Sequence, residues 1–179
     1  MKILDLKNYK KFEDQPLVVL TAYTAPMARI LSPFVDLLLV GDSVGTTLYG
    51  MQTTREVTLE MMRAHGKAVC RAIEGTKVII DMPFGSYDNP ESALINAQFL
   101  LKETGAAAVK LEGGTAIAPV IQKLTNSGIA VIGHVGLQPQ SVTDGYKTKG
   151  REDEDAAQII ADALAVQESG ALALVIEAV

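Results

Sequence analysis

Six short apolar segments recur along the chain, and longer amphipathic segments separate most of them. The apolar segments are rich in Val, Ile and Leu and are bounded by Gly or Pro, which is typical of strands buried on both faces of a parallel sheet. They predict strands at 17–20, 37–40, 78–80, 107–111, 129–132 and 172–176. The amphipathic segments predict helices at 58–74, 90–104, 116–127 and 153–169.

The ends of the predicted helices carry the expected signals. Gly75, Gly105, Gly128 and Gly170 each follow a helical segment, and glycine commonly ends a helix because it tolerates the left-handed conformation. The result is a repeated βα unit with no linker and no shift in composition. It predicts a single domain over residues 1–179.

A succession of βα units favours either a doubly wound sheet or a (β/α)8 TIM barrel. A complete barrel normally takes about 250 residues. The 179 residues here contain six predicted strands. If the fold is a barrel, we expect about six of its eight βα units in this chain, so that the domain is incomplete at its C-terminal end.

Composition and charge narrow the function classes. The chain has 16 Lys and Arg against 21 Asp and Glu, a net charge of −5, and a mean hydropathy of +0.21. This balance disfavours a broad basic surface for nucleic acid or an anionic membrane. No apolar run approaches the ~18 residues of a membrane span, and residues 1–8 lack the long apolar run of a secretory signal. We therefore expect a cytoplasmic protein without nucleic-acid or membrane partners.

Polar side chains follow nearly every predicted strand at the point where it ends. In parallel α/β folds, ligands bind at the carboxyl ends of the strands because the loops there converge on one crevice or barrel mouth. Repetition of this pattern at successive strands predicts a functional site. The residues are Thr21, Tyr23, Asp42, Ser43, Asp81, Lys110, Glu112, His134 and Glu177.

Several of these residues also have a purely structural interpretation. Asp42 and Ser43 can cap a following helix, and Asp81 can serve the turn before Pro83. His134, flanked by glycine-containing segments, can be a core histidine with satisfied hydrogen bonds.

Lys110 and Glu112 are two residues apart, so both point to the same side of their strand, opposite Val109 and Leu111. A buried ion pair between the two is the structural alternative for them.

Together the candidate residues indicate one kind of chemistry. Asp42, Asp81 and Glu112 offer hard oxygen ligands, which favour Mg²⁺ with room for water or substrate oxygens. Lys110 offers a positive charge for a substrate carboxylate, and Glu177 remains as a candidate base. A metal, a cation and a base suit the enolisation of a 2-oxo acid.

Seven stretches of the sequence resemble the ketopantoate hydroxymethyltransferase family, in the family's order and across essentially the whole chain. Each stretch is weak alone, and the ordered set is specific. The stretches are 20–23 (LTAY), 40–43 (VGDS), 81–84 (DMPF), 109–114 (VKLEGG), 133–141 (GHVGLQPQS), 145–147 (GYK) and 175–177 (VIE).

The resemblance implies a (β/α)8 barrel that binds Mg²⁺ and 2-oxoisovalerate and takes a hydroxymethyl group from 5,10-methylenetetrahydrofolate. It also implies a cytoplasmic homo-oligomer, typically a decamer. By matching positions, it implies metal ligands at Asp42, Asp81 and Glu112, substrate-binding residues at Asp42, Ser43, Asp81, Lys110 and His134, and a proton acceptor at Glu177.

Two alternatives stay open. One is a different Mg²⁺-dependent carbon–carbon lyase on 2-oxo acids, similar to the isocitrate lyase and phosphoenolpyruvate mutase group. Those enzymes rely on a lid cysteine, whereas the single cysteine here, Cys70, falls within a predicted helix. The other is a truncated, non-catalytic copy that acts as a subunit or binding module, because a six-stranded sheet leaves open edges.

Overall fold

The computed structural model describes residues 16–142 and 147–179. Residues 1–8 and residues 145–146 of the stretch 145–147, on which expectations above rest, lie outside the described residues. Six parallel strands form one sheet: β1 (Val19–Thr21), β2 (Leu37–Val40), β3 (Lys77–Asp81), β4 (Ala108–Glu112), β5 (Val131–Gly136) and β6 (Ala173–Glu177).

Helices lie between the strands. They are α1 (Ala25–Leu31), α2 (Val44–Leu48), α3 (Leu59–Cys70), α4 (Pro90–Thr104), α5 (Ala118–Asn126) and α6 (Asp153–Glu168), with 3-10 helices at Ser32–Phe34, Thr54–Glu56 and Thr115–Ile117. None of the helices within the two described ranges combines the length and hydrophobicity that a membrane span requires.

The order of the strands decides between the two predicted folds. Each strand pairs in parallel with the next strand along the chain, from β1 to β6. A doubly wound sheet reverses its strand order at a switch point, whereas consecutive strands of a barrel are neighbours. The sheet is therefore a half-barrel of the (β/α)8 type, and the doubly wound alternative is wrong.

Local sequence signals explain the best-predicted helix, α4. The Asn89 side chain accepts a hydrogen bond from the backbone N–H of Ser92 at 2.9 Å, and Pro90 occupies the first turn. Gly105 ends the helix in the left-handed conformation, with φ of 82°. Helix and cap agree with the predicted range 90–104.

Other boundaries differ from the prediction. The predicted helix 58–74 ends at Cys70, so this cysteine closes α3 rather than lying within it, and Gly75 lies beyond the helix. The predicted helix 116–127 begins with a 3-10 turn, and α5 follows it. The short helices α1 and α2 were not predicted, because each spans two turns or fewer and lacks a long apolar periodicity.

Strand β5 shows the largest difference from the predicted strands. It runs from Val131 to Gly136 instead of 129–132, so His134 lies inside the strand rather than between turns. Position 133 of this strand is a glycine because Val166 of α6 packs directly against it: a Cβ built on Gly133 would lie 2.3 Å from Val166 Cγ1. The glycine marks a close helix–sheet approach, not a chain reversal.

Alternating strand residues form two apolar layers. Leu38, Ile80 and Val109 face the helices and belong to the large outer core. Leu37 and Ala108 belong to a smaller cluster on the opposite, inner face. Each fully buried large apolar side chain stabilises the fold by about 1.5–3 kcal/mol.

The edges of the sheet depart from the expectation of strands covered on both faces. Strands β2 to β5 are largely buried, but Val19 and Leu20 of β1 are each 43% exposed and Ile176 of β6 is 56% exposed. Each of these strands has a neighbour on one side only in the described sheet, which accounts for the exposure.

Candidate active site

The carboxyl ends of the strands enclose a cavity of about 320 Å³. It contains every strand-end residue predicted to carry chemistry except Tyr23, which contacts the cavity residue Ser43. Strand ends lie side by side in a half-barrel, so residues far apart in sequence meet there. The cavity is lined by Thr21, Leu39, Gly41, Asp42, Ser43, Thr46, Thr54, Asp81, Lys110, Glu112, His134, Pro139, Val175 and Glu177.

A buried ion pair lines this cavity. Lys110 Nζ is 2.9 Å from Asp81 Oδ1, and the two side chains are 10% and 4% exposed. The other carboxylate oxygen of Asp81 accepts a hydrogen bond from the backbone N–H of Asp42 at 3.1 Å. Burial opposes the charge on Lys110, but the attraction and hydrogen bond of Asp81 outweigh it and raise the pKa of Lys110.

The environment of the neighbouring carboxyl group, Asp42, disfavours its charged form. Burial raises the pKa of Asp42 to about 7, and the negative charge of Asp81 adds to this effect. A hydrogen bond from Gln140 and the positive charge of Lys110 act in the opposite direction. The two buried carboxyl groups, Asp42 and Asp81, have one buried lysine near them, and a bound cation would favour the ionised form of both.

Glu112 lies on the same inner face as Lys110 but does not pair with it. Glu112 Oε1 accepts a hydrogen bond from the backbone N–H of Gln140 at 2.6 Å, and Oε2 lies 3.6 Å from His134 Nδ1. The structural alternative of a Lys110–Glu112 ion pair is therefore wrong, because Lys110 pairs with Asp81 instead.

His134 stands between two carboxylates. Its ring is buried, and His134 Nε2 lies 3.1 Å from Glu177 Oε2. The Glu177 side chain is 42% exposed at the edge strand, so it borders both the cavity and solvent. The interpretation of His134 as a satisfied core residue fails, since neither ring nitrogen makes a well-formed hydrogen bond to the described residues.

Ser43 and Asp81 also depart from their structural interpretations. Ser43 precedes α2 but its side chain makes no capping hydrogen bond. Its Oγ instead lies 2.8 Å from the hydroxyl oxygen of Tyr23, at the end of β1. Asp81 ends β3 and is engaged by Lys110 and Asp42 rather than by the turn that contains Pro83.

The donor set fits a hard divalent cation with few protein ligands. Across residues 16–142 and 147–179, no three or more His, Cys, Asp or Glu side chains converge closely enough to hold a metal ion by themselves. Asp42 and Asp81 nevertheless present adjacent buried carboxylates. Oxygen ligands supplemented by water or substrate are what Mg²⁺ prefers. The two Asp side chains therefore fit Mg²⁺, and Glu112 offers a further carboxylate in the same cavity.

Further buried polar atoms in the described part of the chain make no hydrogen bond. The Thr54 hydroxyl is buried and makes no hydrogen bond there, and the same holds for both ring nitrogens of His134. An unsatisfied buried polar group costs about 1–3 kcal/mol, so such atoms at a cavity wall mark a place for a polar ligand.

Sequence reasoning did not single out Gln140, Tyr87 or Thr54. Gln140 and Tyr87 are buried and bonded to the predicted acidic residues, and Thr54 lines the cavity. Their positions follow from tertiary packing, because Tyr87 and Gln140 lie in loops after different strands. The only sequence signal for Gln140 was its place in the matching stretch 133–141.

Comparison with known proteins agrees with the resemblance. The family model described as ketopantoate hydroxymethyltransferase matches residues 1–179. The 3-methyl-2-oxobutanoate hydroxymethyltransferase of Rhodospirillum rubrum is 49% identical over 180 residues, which cover 99% of this chain and 65% of that protein. The chain thus spans about two thirds of the length of this relative.

Solved structures of lower sequence identity share the fold. The crystal structure of 2,3-dimethylmalate lyase, a PEP mutase/isocitrate lyase superfamily member, matches with a TM-score of 0.68 and 21% identity, over 99% of this chain and 62% of that one. Phosphonopyruvate hydrolase in complex with oxalate and Mg++ matches with a TM-score of 0.69 and 13% identity, over 99% and 64%. These similarities support the (β/α) barrel.

The whole sequence matches the family model, and a curated member is 49% identical to it. The chain therefore belongs to the ketopantoate hydroxymethyltransferase family.

Proposed function

We propose that the protein transfers a hydroxymethyl group from 5,10-methylenetetrahydrofolate to 2-oxoisovalerate (3-methyl-2-oxobutanoate) and so forms ketopantoate, in pantothenate and coenzyme A biosynthesis. Membership of the family supports this activity. The observation that carries it is the cavity in which Asp42, Asp81, Lys110 and Glu177 meet, because enolisation of a 2-oxo acid needs carboxylate, cation and base together.

Asp42 and Asp81 are the proposed direct ligands of Mg²⁺. Glu112, which contacts Gln140 and His134, is the third proposed residue of the metal site and either binds the ion directly or holds a water bound to it. When bound, Mg²⁺ would withdraw electron density from the ketone of the substrate and acidify the C3 proton. The complex of phosphonopyruvate hydrolase with oxalate and Mg++ supports the pairing of this fold with that ion and a small carboxylate ligand.

Lys110 and its neighbours bind the substrate. Lys110 Nζ carries three protons, and its contact with Asp81 leaves donors for the carboxylate of the 2-oxo acid. Ser43, held by the hydroxyl of Tyr23, and the unpaired nitrogens of His134 supply further hydrogen bonds in the same cavity. These contacts orient the acid so that its C3 proton faces the base.

Glu177 is the proposed base. Its carboxylate removes the C3 proton of 2-oxoisovalerate, and the electron pair of the C3–H bond becomes the enolate. Water adds to the methylene carbon of 5,10-methylenetetrahydrofolate and both of its C–N bonds break, which releases tetrahydrofolate and formaldehyde. C3 of the enolate forms a bond to the formaldehyde carbon, and the formaldehyde oxygen takes up a proton to become the hydroxyl of the hydroxymethyl group. His134 Nε2 lies 3.1 Å from Glu177 Oε2, so the proposed base stands beside this substrate-binding residue.

Folate dependence separates this proposal from the lyase alternative. We expect ketopantoate to form only when 2-oxoisovalerate, Mg²⁺ and 5,10-methylenetetrahydrofolate are all present. Turnover of a 2-oxo acid without any folate would favour a carbon–carbon lyase. Cys70 does not suit the role of a lid cysteine, because it ends α3 and burial raises the pKa of its thiol to about 11.

The remaining alternative is a non-catalytic copy, and metal-dependent binding of 2-oxoisovalerate tests it. The absence of such binding would favour the non-catalytic copy.

We propose that the protein is a homo-oligomer, a decamer by the resemblance, and light scattering of the purified protein measures the size of this assembly. A monomer at all concentrations would contradict it.

A further inference from the structure

Gln140 joins the carboxyl ends of three strands. Its side-chain Nε2 donates to Asp42 Oδ2 at 2.7 Å and to the carbonyl oxygen of Met82 at 3.1 Å. Its backbone N–H donates to Glu112 Oε1 at 2.6 Å. One residue in the loop after β5 therefore contacts groups after β2 and β3 and at the end of β4.

Tyr87 fixes which way the Gln140 amide faces. The Tyr87 hydroxyl donates to Gln140 Oε1, with 2.6 Å between the oxygens, and lies 3.1 Å from the carbonyl oxygen of Glu112. If the amide turned over, its oxygen would face both the carboxylate of Asp42 and the carbonyl of Met82, which are acceptors. In the observed orientation, the Gln140 amide presents only donors to Asp42.

Gln140, Tyr87 and Asp42 are all buried. A hydrogen bond in such surroundings is stronger than one at the surface, and loss of one partner leaves the others unsatisfied. The bond from Gln140 therefore restrains the rotation of the Asp42 carboxylate. A carboxylate held in one orientation needs no reordering when a cation binds beside it.

We propose that Gln140 is a positioning residue for Mg²⁺, that it holds the Asp42 carboxylate in its metal-binding orientation, and that Tyr87 acts through Gln140. This inference rests on the proposed function, since Asp42 is there a direct ligand of Mg²⁺. Outer partners of metal ligands typically contribute a factor of about 10–100 to metal affinity.

Calorimetric titration of the purified protein with Mg²⁺ alone tests the proposal. We expect Gln140→Ala to raise the Kd for Mg²⁺ about 10-fold or more. Tyr87→Phe keeps the packing of the ring and should raise the Kd less. Because Tyr87 acts through Gln140, the double variant should bind no more weakly than Gln140→Ala. Saturating Mg²⁺ should restore most of the kcat of Gln140→Ala, which a purely structural loss would not allow.

The controls remove the same groups elsewhere. Gln122→Ala changes an exposed glutamine on α5, and Tyr49→Phe removes the hydroxyl of a tyrosine that is 53% exposed. Both should keep the Kd of the wild type. An unchanged Kd in Gln140→Ala overturns the proposal. If Gln140→Ala does not fold, an unchanged Kd in Tyr87→Phe overturns it. A wild type that binds no Mg²⁺ contradicts the metal assignment of the proposed function, and this inference falls with it.

Discussion

Lys110 of β4 and Asp81 of β3 form an ion pair at 2.9 Å inside the half-barrel, with both side chains at most 10% exposed. The pair lies beside the Asp42 carboxyl group, whose pKa is raised by burial and, to a smaller extent, by the negative charge of Asp81. In the proposed function, the same lysine later binds the substrate carboxylate. The ion pair thus keeps in place a group that the reaction uses.

Replacement of this lysine should destabilise the metal-free protein. Lys110→Met keeps much of the side-chain volume but leaves Asp81 buried without its partner, which should lower the free energy of unfolding by about 3–5 kcal/mol. Mg²⁺ should recover part of this loss, because it neutralises the same carboxylate. Denaturant unfolding with and without Mg²⁺ measures both effects.

Lys123→Met is the matched control, since Lys123 is 41% exposed and lies 3.7 Å from Glu91 at the surface. It should change stability by no more than about 0.5 kcal/mol. Equal changes in the free energy of unfolding for the two substitutions would show that the buried ion pair contributes no more to stability than the exposed one.

Asp81→Asn should weaken Mg²⁺ and 2-oxoisovalerate together. The amide removes a charged ligand of the ion, and the substrate is proposed to bind the same ion. We expect the Kd for each to rise by at least about 10-fold, as titrations of the two ligands can measure. Asp88→Asn, on the exposed part of the loop after β3, should leave both unchanged. If the Mg²⁺ dependence of Asp81→Asn equals that of the wild type, Asp81 is only the structural partner of Lys110.

The stability of the metal-free protein should fall as the pH rises. Folding raises the pKa of Asp42 to about 7, mainly through burial and then through Asp81. A carboxyl group of this kind stabilises the folded state below its unfolded pKa of about 4, and that contribution is lost as the pH rises through its folded pKa. The free energy of unfolding should therefore decrease between about pH 4 and pH 7, on the order of a few kcal/mol.

Asp42→Asn should remove most of this decrease, whereas Asp153→Asn, at an exposed position in the first turn of α6, should retain it. Saturating Mg²⁺ should also reduce the decrease, because it binds the ionised carboxylate. Thermal unfolding across the pH range is the measurement. A pH profile shared by wild type and Asp42→Asn would mean that another group is responsible.

Much of the fold was predictable because apolar strands and helix signals are local. The range 37–40 is confirmed as β2 and 90–104 as α4. The end of β5 was not predictable, because a glycine such as Gly133 is typical of a turn. Only the tertiary structure shows that Val166 packs against it within the strand. The sequence order of the strands in the sheet, which excluded a doubly wound fold, is likewise a tertiary property.

The site was predictable for a related reason. Side chains such as Asp42, Asp81 and Glu177 follow parallel strands, and the geometry of the sheet brings those ends together. What the sequence could not indicate was how the side chains pair. Lys110 pairs with Asp81 on the neighbouring strand and not with Glu112 on the same strand. Gln140 donates to Asp42, which is 98 residues earlier in the sequence.

Glu177 is the proposed base for the C3 proton of 2-oxoisovalerate, and loss of that proton can be followed directly. Proton NMR in D2O follows exchange of this proton with solvent, with Mg²⁺ and without folate. Glu177→Gln should reduce the exchange rate by a factor on the order of 10²–10⁴, the usual contribution of a general base, and should leave substrate binding largely intact. Glu168→Gln, at the exposed end of α6, is the matched control and should exchange like the wild type. Exchange at the wild-type rate in Glu177→Gln would show that Glu177 is not the base.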